Sequence, residues 1–193
     1  MWWLIMIILG LDISLHCTGW AVVDTNTLST DITNVTLKLL DYGYIDTHKL
    51  TESKALLEIS TTLRAVMDTY QLDEIASEAP FIGRNAKTIQ QLSKVHGIAA
   101  LIAAEHSVNI VNYSVMTIKS ATLNGMKLKK SDGTRKTGKE LKNEVANKVI
   151  DIVGQQALAG KQYTDDVTDA ISAIITYIVH LGLPVIKTPK RNK

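Results

Sequence analysis

The stretch LGLDISLHCTGWAVVD, from Leu9 to Asp24, decides the fold. It contains an apolar run that ends at Asp12, a turn with serine, threonine and glycine, and a second apolar run, Trp20–Val23. Two short apolar runs joined by such a turn predict a β-hairpin. A charged carboxylate in a buried strand is costly to desolvate unless it has a partner. Asp12 is therefore the first residue that indicates a functional site.

The length and composition predict one globular domain. The chain has 193 residues, of which 46% are hydrophobic and 21% charged, as in an ordinary globular protein. The single cysteine, Cys17, excludes an internal disulfide and favours the cytoplasm; we expect it to be a small core-lining residue. The apolar start, MWWLIMIIL, is too short to span a bilayer and lacks a basic leader, so no membrane partner is predicted.

The hydrophobic periodicity predicts an α/β fold with a mixed β-sheet flanked by helices. The predicted strands are Leu4–Leu11, Gly19–Val23, Thr36–Ile45, Glu74–Glu78 and Val108–Tyr113. The predicted helices are Ser53–Tyr70 with Ser53 as its cap, Asn85–Glu105, a helix or helical turn up to Asn124, Lys139–Val153 and Thr164–His180. The polar stretch 126–138 is predicted to be a loop, residues 1–183 one domain, and residues 184–193 a disordered basic tail.

Positive charge is concentrated in one part of the chain, although the net charge is only +2. From Thr117 to Lys148 there are nine lysines and arginines against three acids, and the tail adds four basic residues. Such a run is equally typical of a solvated face or a loose loop and of a surface that binds a polyanion.

Four acids occupy positions where a structural role alone does not explain them: Asp12, Glu78, Asp166 and Asp169. The last two are three residues apart, which places them on one face of a helix. As alternatives, Asp165 and Asp166 could favour the helix N-terminus electrostatically, and Glu78 could be a surface residue. Carboxylates that face one site need cations to offset their repulsion. Oxygen ligands without histidine or cysteine suit Mg²⁺ or Mn²⁺.

Four segments, taken together and in order, resemble the RuvC family of Holliday-junction resolvases, which belong to the ribonuclease H-like superfamily. The segments are MIILGLDISLHCTGWAVVD, SEAPFIGRNAKTIQQLSKVHGIAALIAA, VNYSVMTIKSATLNG and DDVTDAISAIITYIVH. They extend from about Met6 to His180. The resemblance implies a ribonuclease H-like mixed sheet of about five strands. It also implies a cytoplasmic homodimeric endonuclease that resolves Holliday junctions and other branched DNA by paired nicks, leaving 5′-phosphate and 3′-hydroxyl ends.

The same resemblance implies the site residues. The metal-binding catalytic carboxylates are Asp12, Glu78, Asp166 and Asp169, which would hold two Mg²⁺ ions, with Mn²⁺ able to substitute. Lys142 would be the active-site lysine, with Lys139 as a competing candidate. Phe81 would intrude among the bases of the junction, although a hydrophobic plug is an alternative. The remaining DNA contacts implied or suggested by charge are Arg84, Asn85, Lys87, Lys119, Lys127, Lys129, Lys130, Arg135, Lys136 and Lys139.

Two departures separate this chain from the usual family pattern. Ile13 and Ser14 follow the first acid where the family has proline and glycine, and the basic loop 126–138 is longer. Both resemble the phage-encoded branch. For the dimer, the predicted helix Asn85–Glu105 offers Ile98, Leu101 and Ile102 as an interface, although these could be core residues.

Other functions remain open from the sequence. A ribonuclease H-like nuclease could act on other branched DNA or on RNA. The opening hairpin also resembles the first phosphate motif of actin-like ATPases, but no second glycine-rich phosphate segment is present. A non-catalytic junction-binding protein is a third alternative, which the four acids argue against.

Overall fold

The computed structural model of the chain describes residues 6–25, 37–80, 85–125, 130 and 132–182. The strands are β1 (Ile7–Asp12), β2 (Cys17–Asp24), β3 (Lys38–Asp46), β4 (Glu74–Glu78) and β5 (Asn109–Tyr113). The helices are α1 (Glu52–Thr69), α2 (Ala86–Glu105), α3 (Val115–Thr122), α4 (Gly138–Val153) and α5 (Asp165–His180). A short 3₁₀ helix, Gln155–Leu158, precedes α5.

The five strands form one mixed sheet in the order β3-β2-β1-β4-β5. Strands β1, β2 and β3 are joined as antiparallel neighbours, whereas β4 lies parallel to β1 and β5 lies parallel to β4. The parallel pairs need crossover connections, which α1 and α2 supply. The predicted α/β architecture with a five-stranded mixed sheet is confirmed.

Two hydrophobic cores lie on the two faces of the sheet. On one face, Ile8 and other β-strand residues pack against α5, α3 and α4. On the other, Leu9 and Leu11 pack with the buried residues of α1 and α2. Alternate residues of β1 thus face opposite cores, which is why its sequence is a continuous apolar run rather than an alternating one.

Helix α5 is the most deeply buried helix among the described residues, and it packs directly on the sheet backbone. A Cβ atom at Gly10 would lie 2.2 Å from the carbonyl oxygen of Ala170. The helix buries Ile171, Ile174 and Ile178 completely, each worth about 1.5–3 kcal/mol of hydrophobic stabilisation. The N-terminus of α5 is therefore held at a fixed place on the sheet.

The predicted elements exist, and their ends differ by a few residues. The first strand extends one residue further than predicted and includes Asp12, while Leu4 lies outside the described residues. Ser53 is not the cap of α1; the helix begins at Glu52 after Thr51. The tail 184–193 lies outside the described residues. Among the described helices, none is long and apolar enough to cross a membrane.

Candidate active site

Two of the predicted acids lie side by side at the ends of neighbouring strands. Asp12 is the last residue of β1, and Glu78 is the last residue of β4. The strands are parallel, with Leu11 opposite Ser77, so the two acidic residues follow in register. Side chains two residues apart on a strand share a face, so Asp12 lies on the side where Gly10 contacts α5. Both carboxylates therefore face the N-terminal end of α5.

Helix α5 brings the other two acids to the same place. Gly19 lies opposite Asp12 in the β1–β2 register. A Cβ atom at Gly19 would lie 2.2 Å from the carbonyl oxygen of Asp166, so only glycine permits this approach of the helix. The first turns of α5 thus place Asp166 and Asp169 beside the end of β1.

The pKa values show that these carboxyl groups interact. Burial raises the pKa of Asp12 well above its ordinary value of 3.8, and the charges of Asp169, Glu78 and Asp166 raise it further. Burial, and then Asp169, raise the pKa of Glu78. Burial also raises the pKa of Asp169. The ionised carboxylates repel one another. Full ionisation of all of them therefore requires a positive charge nearby.

Lys142 supplies part of that positive charge. Its Nζ lies 3.3 Å from Oδ2 of Asp169 and 3.7 Å from Oδ2 of Asp165. Burial disfavours its charge, but the attraction of Asp169 and the other acids is greater, so the pKa of Lys142 is raised. A capping box between Thr137 and Glu140 begins α4 and so fixes Lys142 about one turn into that helix.

The two other lysines predicted near the site have different surroundings. Lys119, on α3, is near enough to Glu78 to lower the pKa of that carboxyl group against the effect of burial. Lys139 is exposed, and no ion pair joins it to another described residue. The structure therefore places Lys142 at the carboxylates and leaves Lys139 at the surface.

The carboxylate cluster has the donor chemistry of a divalent-cation site. Mg²⁺ and Mn²⁺ prefer oxygen ligands, and the four acids of the cluster offer only oxygens. As the side chains lie, no three acidic, histidine or cysteine residues within the described ranges are arranged to share one metal ion. The raised pKa values supply an electrostatic reason for a cation to bind among these carboxylates.

Two neighbours of Asp166 were not predicted from the sequence. The Sγ of Cys17 lies 3.0 Å from Oδ2 of Asp166, and Oγ1 of Thr164 lies 2.9 Å from the same oxygen. Burial, and then Asp166, raise the pKa of the Cys17 thiol to about 12. The prediction that Cys17 merely lines the core is wrong, because it is partly exposed and contacts a site residue.

Of the four DNA contacts predicted shortly after Glu78, two lie within the described residues. Asn85 caps α2 by accepting hydrogen bonds from the backbone N–H groups of Lys87 and Thr88 at 3.0 and 3.4 Å. Lys87 is exposed in the first turn of that helix. Phe81 and Arg84 lie outside the described residues.

The basic loop contains lysines that already have acidic partners. Lys130 pairs with Glu140 at 2.7 Å, and Lys136 pairs with Glu144 at 2.6 Å. Arg135 is exposed like Lys139. Lys127 and Lys129 lie outside the described residues. Among the described residues of this loop and the start of α4, Arg135 and Lys139 are exposed and have no ion pair, so they are the freest to contact a phosphate.

The face of α2 that was predicted to form an interface is only partly available. Ile102 is completely buried, and Ile98 packs against the core, so these two residues belong to the fold. Leu101 is 57% exposed. Small exposed residues surround it on the same helix: Gly97, Ala100 and Ala104.

The five-stranded mixed sheet with its flanking helices is a ribonuclease H-like fold. Residues 8–177 match the family model described as crossover junction endodeoxyribonuclease RuvC, and the chain therefore belongs to the RuvC family. Nucleases of this family depend on divalent metal ions.

Relatives and solved structures agree with this membership. The chain is 26% identical over 175 residues to the RuvC of Caldicellulosiruptor saccharolyticus, covering 90% of this chain and 93% of that protein. It is 34% identical over 124 residues to the RuvC of Anaplasma marginale, covering 63% and 71%. T. thermophilus RuvC in complex with a Holliday junction superposes with a TM-score of 0.69 at 19% identity, covering 92% and 98%. The fowlpox virus resolvase, also with junction DNA, gives 0.58 at 15%, covering 91% and 99%.

Proposed function

We propose that this chain is a magnesium-dependent endonuclease that resolves Holliday junctions, and other branched DNA, by paired nicks. The observation that carries this proposal is the convergence of Asp12, Glu78, Asp166 and Asp169, with Lys142 beside them, in a member of the RuvC family. The use of two Mg²⁺ ions in each site, with Mn²⁺ as a substitute, is part of the proposal.

The chemistry follows from what each side chain can do. When bound, two divalent ions supply an activated water and charge relief for phosphodiester hydrolysis. The four carboxylates, at the ends of β1 and β4 and in the first turns of α5, would hold these ions. Lys142 keeps a fixed ammonium next to Asp169, where it stabilises negative charge that develops on the phosphate. The products are a 5′-phosphate and a 3′-hydroxyl.

DNA is bound mainly through its phosphates, so affinity should fall steeply with salt. Lys87 at the start of α2 is exposed, and so are Arg135 and Lys139 at the start of α4. Lys119 is near enough to Glu78 to lower the pKa of that carboxyl group, so it is a further candidate contact for a phosphate at the active site. The sequence adds Phe81 as the aromatic residue that enters the branch point.

A homodimer is the arrangement that suits a four-way junction. The junction is two-fold symmetric, and a C2 dimer presents two active sites with that symmetry. The exposed face of α2 around Leu101 offers an apolar surface with small residues that allow a second helix to approach. We place the dimer contact on this face.

The decisive experiment incubates the protein with Mg²⁺ and end-labelled four-way, three-way and linear DNA, together with an RNA–DNA hybrid. We expect symmetric nicks in the four-way junction with ligatable ends, and little cleavage of linear DNA. Asp12→Asn should bind the junction as tightly or more tightly, because a negative charge is lost, and should not cleave it. Normal cleavage by Asp12→Asn would remove this residue from the site.

The alternatives predict different results in the same experiment. A nuclease for other branched DNA or for RNA would cut the three-way DNA or the hybrid in preference to the four-way junction. A non-catalytic binding protein would retain the junction and cut nothing. The RuvC family match over residues 8–177 argues against an actin-like ATP-binding domain.

A further inference from the structure

Asp166 is held by two side chains that come from opposite ends of the chain. Cys17 begins β2, and Thr164 immediately precedes α5. The thiol sulfur and the threonine hydroxyl lie 3.0 and 2.9 Å from the same oxygen, Oδ2. An ionised carboxylate only accepts hydrogen bonds, so both the S–H and the O–H group must be donors.

The arrangement leaves the other oxygen of Asp166 for a different partner. Oδ1 accepts no hydrogen bond from the rest of the described chain. The two donors therefore fix the orientation of the carboxylate without occupying both of its oxygens. The bond from Cys17 ties the side chain to β2, and the bond from Thr164 ties it to the residue that precedes its own helix, α5.

The hydroxyl of Thr164 contacts the side chain of Asp166 and does not cap the backbone of α5. A threonine before a helix commonly accepts a hydrogen bond from a backbone N–H of the first turn. Asn85, Ser114 and Thr137 do this for α2, α3 and α4, whereas Thr51 before α1 and Thr164 before α5 make no such bond. The Thr164 hydroxyl instead donates to Oδ2 of Asp166 at 2.9 Å, so it is available to orient this carboxylate.

We propose that Cys17 and Thr164 are positioning residues, which orient Asp166 for metal binding. The proposal rests on the proposed function, since Asp166 is there a metal ligand. Partners that orient a ligand from outside the coordination shell typically change metal affinity by about 10- to 100-fold when they are removed. The backbone of Asp166 is already fixed by its close approach to Gly19, so the two donors act on the side chain alone.

The test compares Cys17→Ala, Cys17→Ser, Thr164→Ala and the double alanine variant. Mn²⁺ binding to the DNA-free protein is measured by calorimetry and by electron paramagnetic resonance, and the metal concentration for half-maximal junction cleavage is measured in parallel. Thr168→Ala is the matched control, because this buried hydroxyl also lies at the start of α5 but bonds to the carbonyl oxygen of Asp165. Thermal melting confirms that each variant is folded.

We expect Cys17→Ala and Thr164→Ala to weaken Mn²⁺ binding by about tenfold each, within the range for such partners. Cys17→Ser keeps a donor and should restore most of the affinity, and Thr168→Ala should leave it unchanged. Unchanged Mn²⁺ affinity in the folded double variant overturns the proposal, and so does an equal loss in Cys17→Ser and Cys17→Ala. If the unaltered protein binds Mn²⁺ but cuts no junction, the proposed function fails, while these binding measurements still decide the role of Cys17 and Thr164.

Discussion

Lys142 of α4 and Asp169 of α5 form an ion pair at the carboxylate cluster, with 3.3 Å between Nζ and Oδ2. The lysine side chain is partly exposed and the aspartate is largely buried. The lysine is thus a fixed positive charge in a cluster of acids whose pKa values are otherwise raised by burial and by one another. We therefore expect the rate of junction cleavage to depend on this ion pair.

Replacing Lys142 with methionine should reduce junction cleavage by about a hundredfold, the loss typical when a charge-stabilising group is removed from an active site. The substitution keeps an unbranched apolar stem, so the packing of this side chain changes little. Junction affinity should fall much less than the cleavage rate. Single-turnover cleavage at saturating protein separates the two effects. The control is Lys139→Met, because Lys139 is exposed and lies one turn earlier on the same helix. If Lys139→Met lost as much activity as Lys142→Met, the assignment of Lys142 as the active-site lysine would be wrong.

The metal-free protein should become less stable as the pH rises above about 4, the ordinary range of carboxyl groups. Asp12, Glu78 and Asp169 have raised pKa values in the folded protein, so in this window the folded form binds more protons than the unfolded form. Linkage then requires the free energy of unfolding to fall as the pH rises through these folded pKa values. Thermal melting between pH 4 and 8 without metal measures this.

Asp12→Asn tests the same electrostatics at one residue. Without metal at pH 7, the variant should melt at a higher temperature than the unaltered protein. The substitution removes a carboxyl group whose ionised form is disfavoured by burial and by the charges of three acids. The difference should shrink towards pH 4, where the group is protonated in the folded form, and Mg²⁺ should stabilise the unaltered protein more than the variant. A variant that melts lower at every pH would contradict this account.

The strands and helices could be predicted because their apolar periodicity is local. The four acids were recognisable because they interrupt that periodicity or stand at its ends. The side of a helix that faces the core was harder to predict. Leu101 and Ile102 are adjacent apolar residues, yet Leu101 is exposed and Ile102 is completely buried. Only the packing of α2 on α1 and the sheet distinguishes them.

The partners of the site residues could not be predicted, because they depend on contacts between distant parts of the chain. Cys17 and Asp166 are 149 positions apart, and nothing in either neighbourhood indicates that they meet. Likewise, Lys139 and Lys142 are three residues apart on one helix, and only the position of α4 relative to Asp169 places the second at the site. The ion pairs of Lys130 and Lys136 are more local, but they depend on how the loop lies against α4, which the sequence alone does not show.

The basic residues around α4 should not contribute equally to DNA affinity. Arg135→Gln and Lys139→Gln should each reduce the slope of log affinity against log salt by about one, the effect of one lost phosphate contact. Lys136 is only 16% exposed and is paired with Glu144, so the double variant Lys136→Gln/Glu144→Gln should leave the slope unchanged. Fluorescence anisotropy across a salt series measures all three. If every variant kept the slope of the unaltered protein, this region would be a solvated surface that does not contact DNA.

Leu101→Glu should convert the proposed homodimer into monomers. Its side chain is 57% exposed in the single chain, so the substitution costs the isolated fold little. In a dimer that packs α2 on its symmetry mate, the same position would bury a charge without a partner, which is strongly unfavourable. Leu57→Glu is the matched control, because Leu57 is 66% exposed on α1 and lies outside the proposed contact.

Light scattering after size-exclusion chromatography should give one chain per particle for Leu101→Glu and two for Leu57→Glu. On a supercoiled plasmid with an extruded cruciform, paired nicks within one binding event yield linear DNA, whereas unpaired nicks yield open circles. The Leu101→Glu protein should therefore produce open circles while its metal binding is retained, because the carboxylates come from a single chain. A dimeric Leu101→Glu protein that still linearises the plasmid would show that the contact lies elsewhere than on this face of α2.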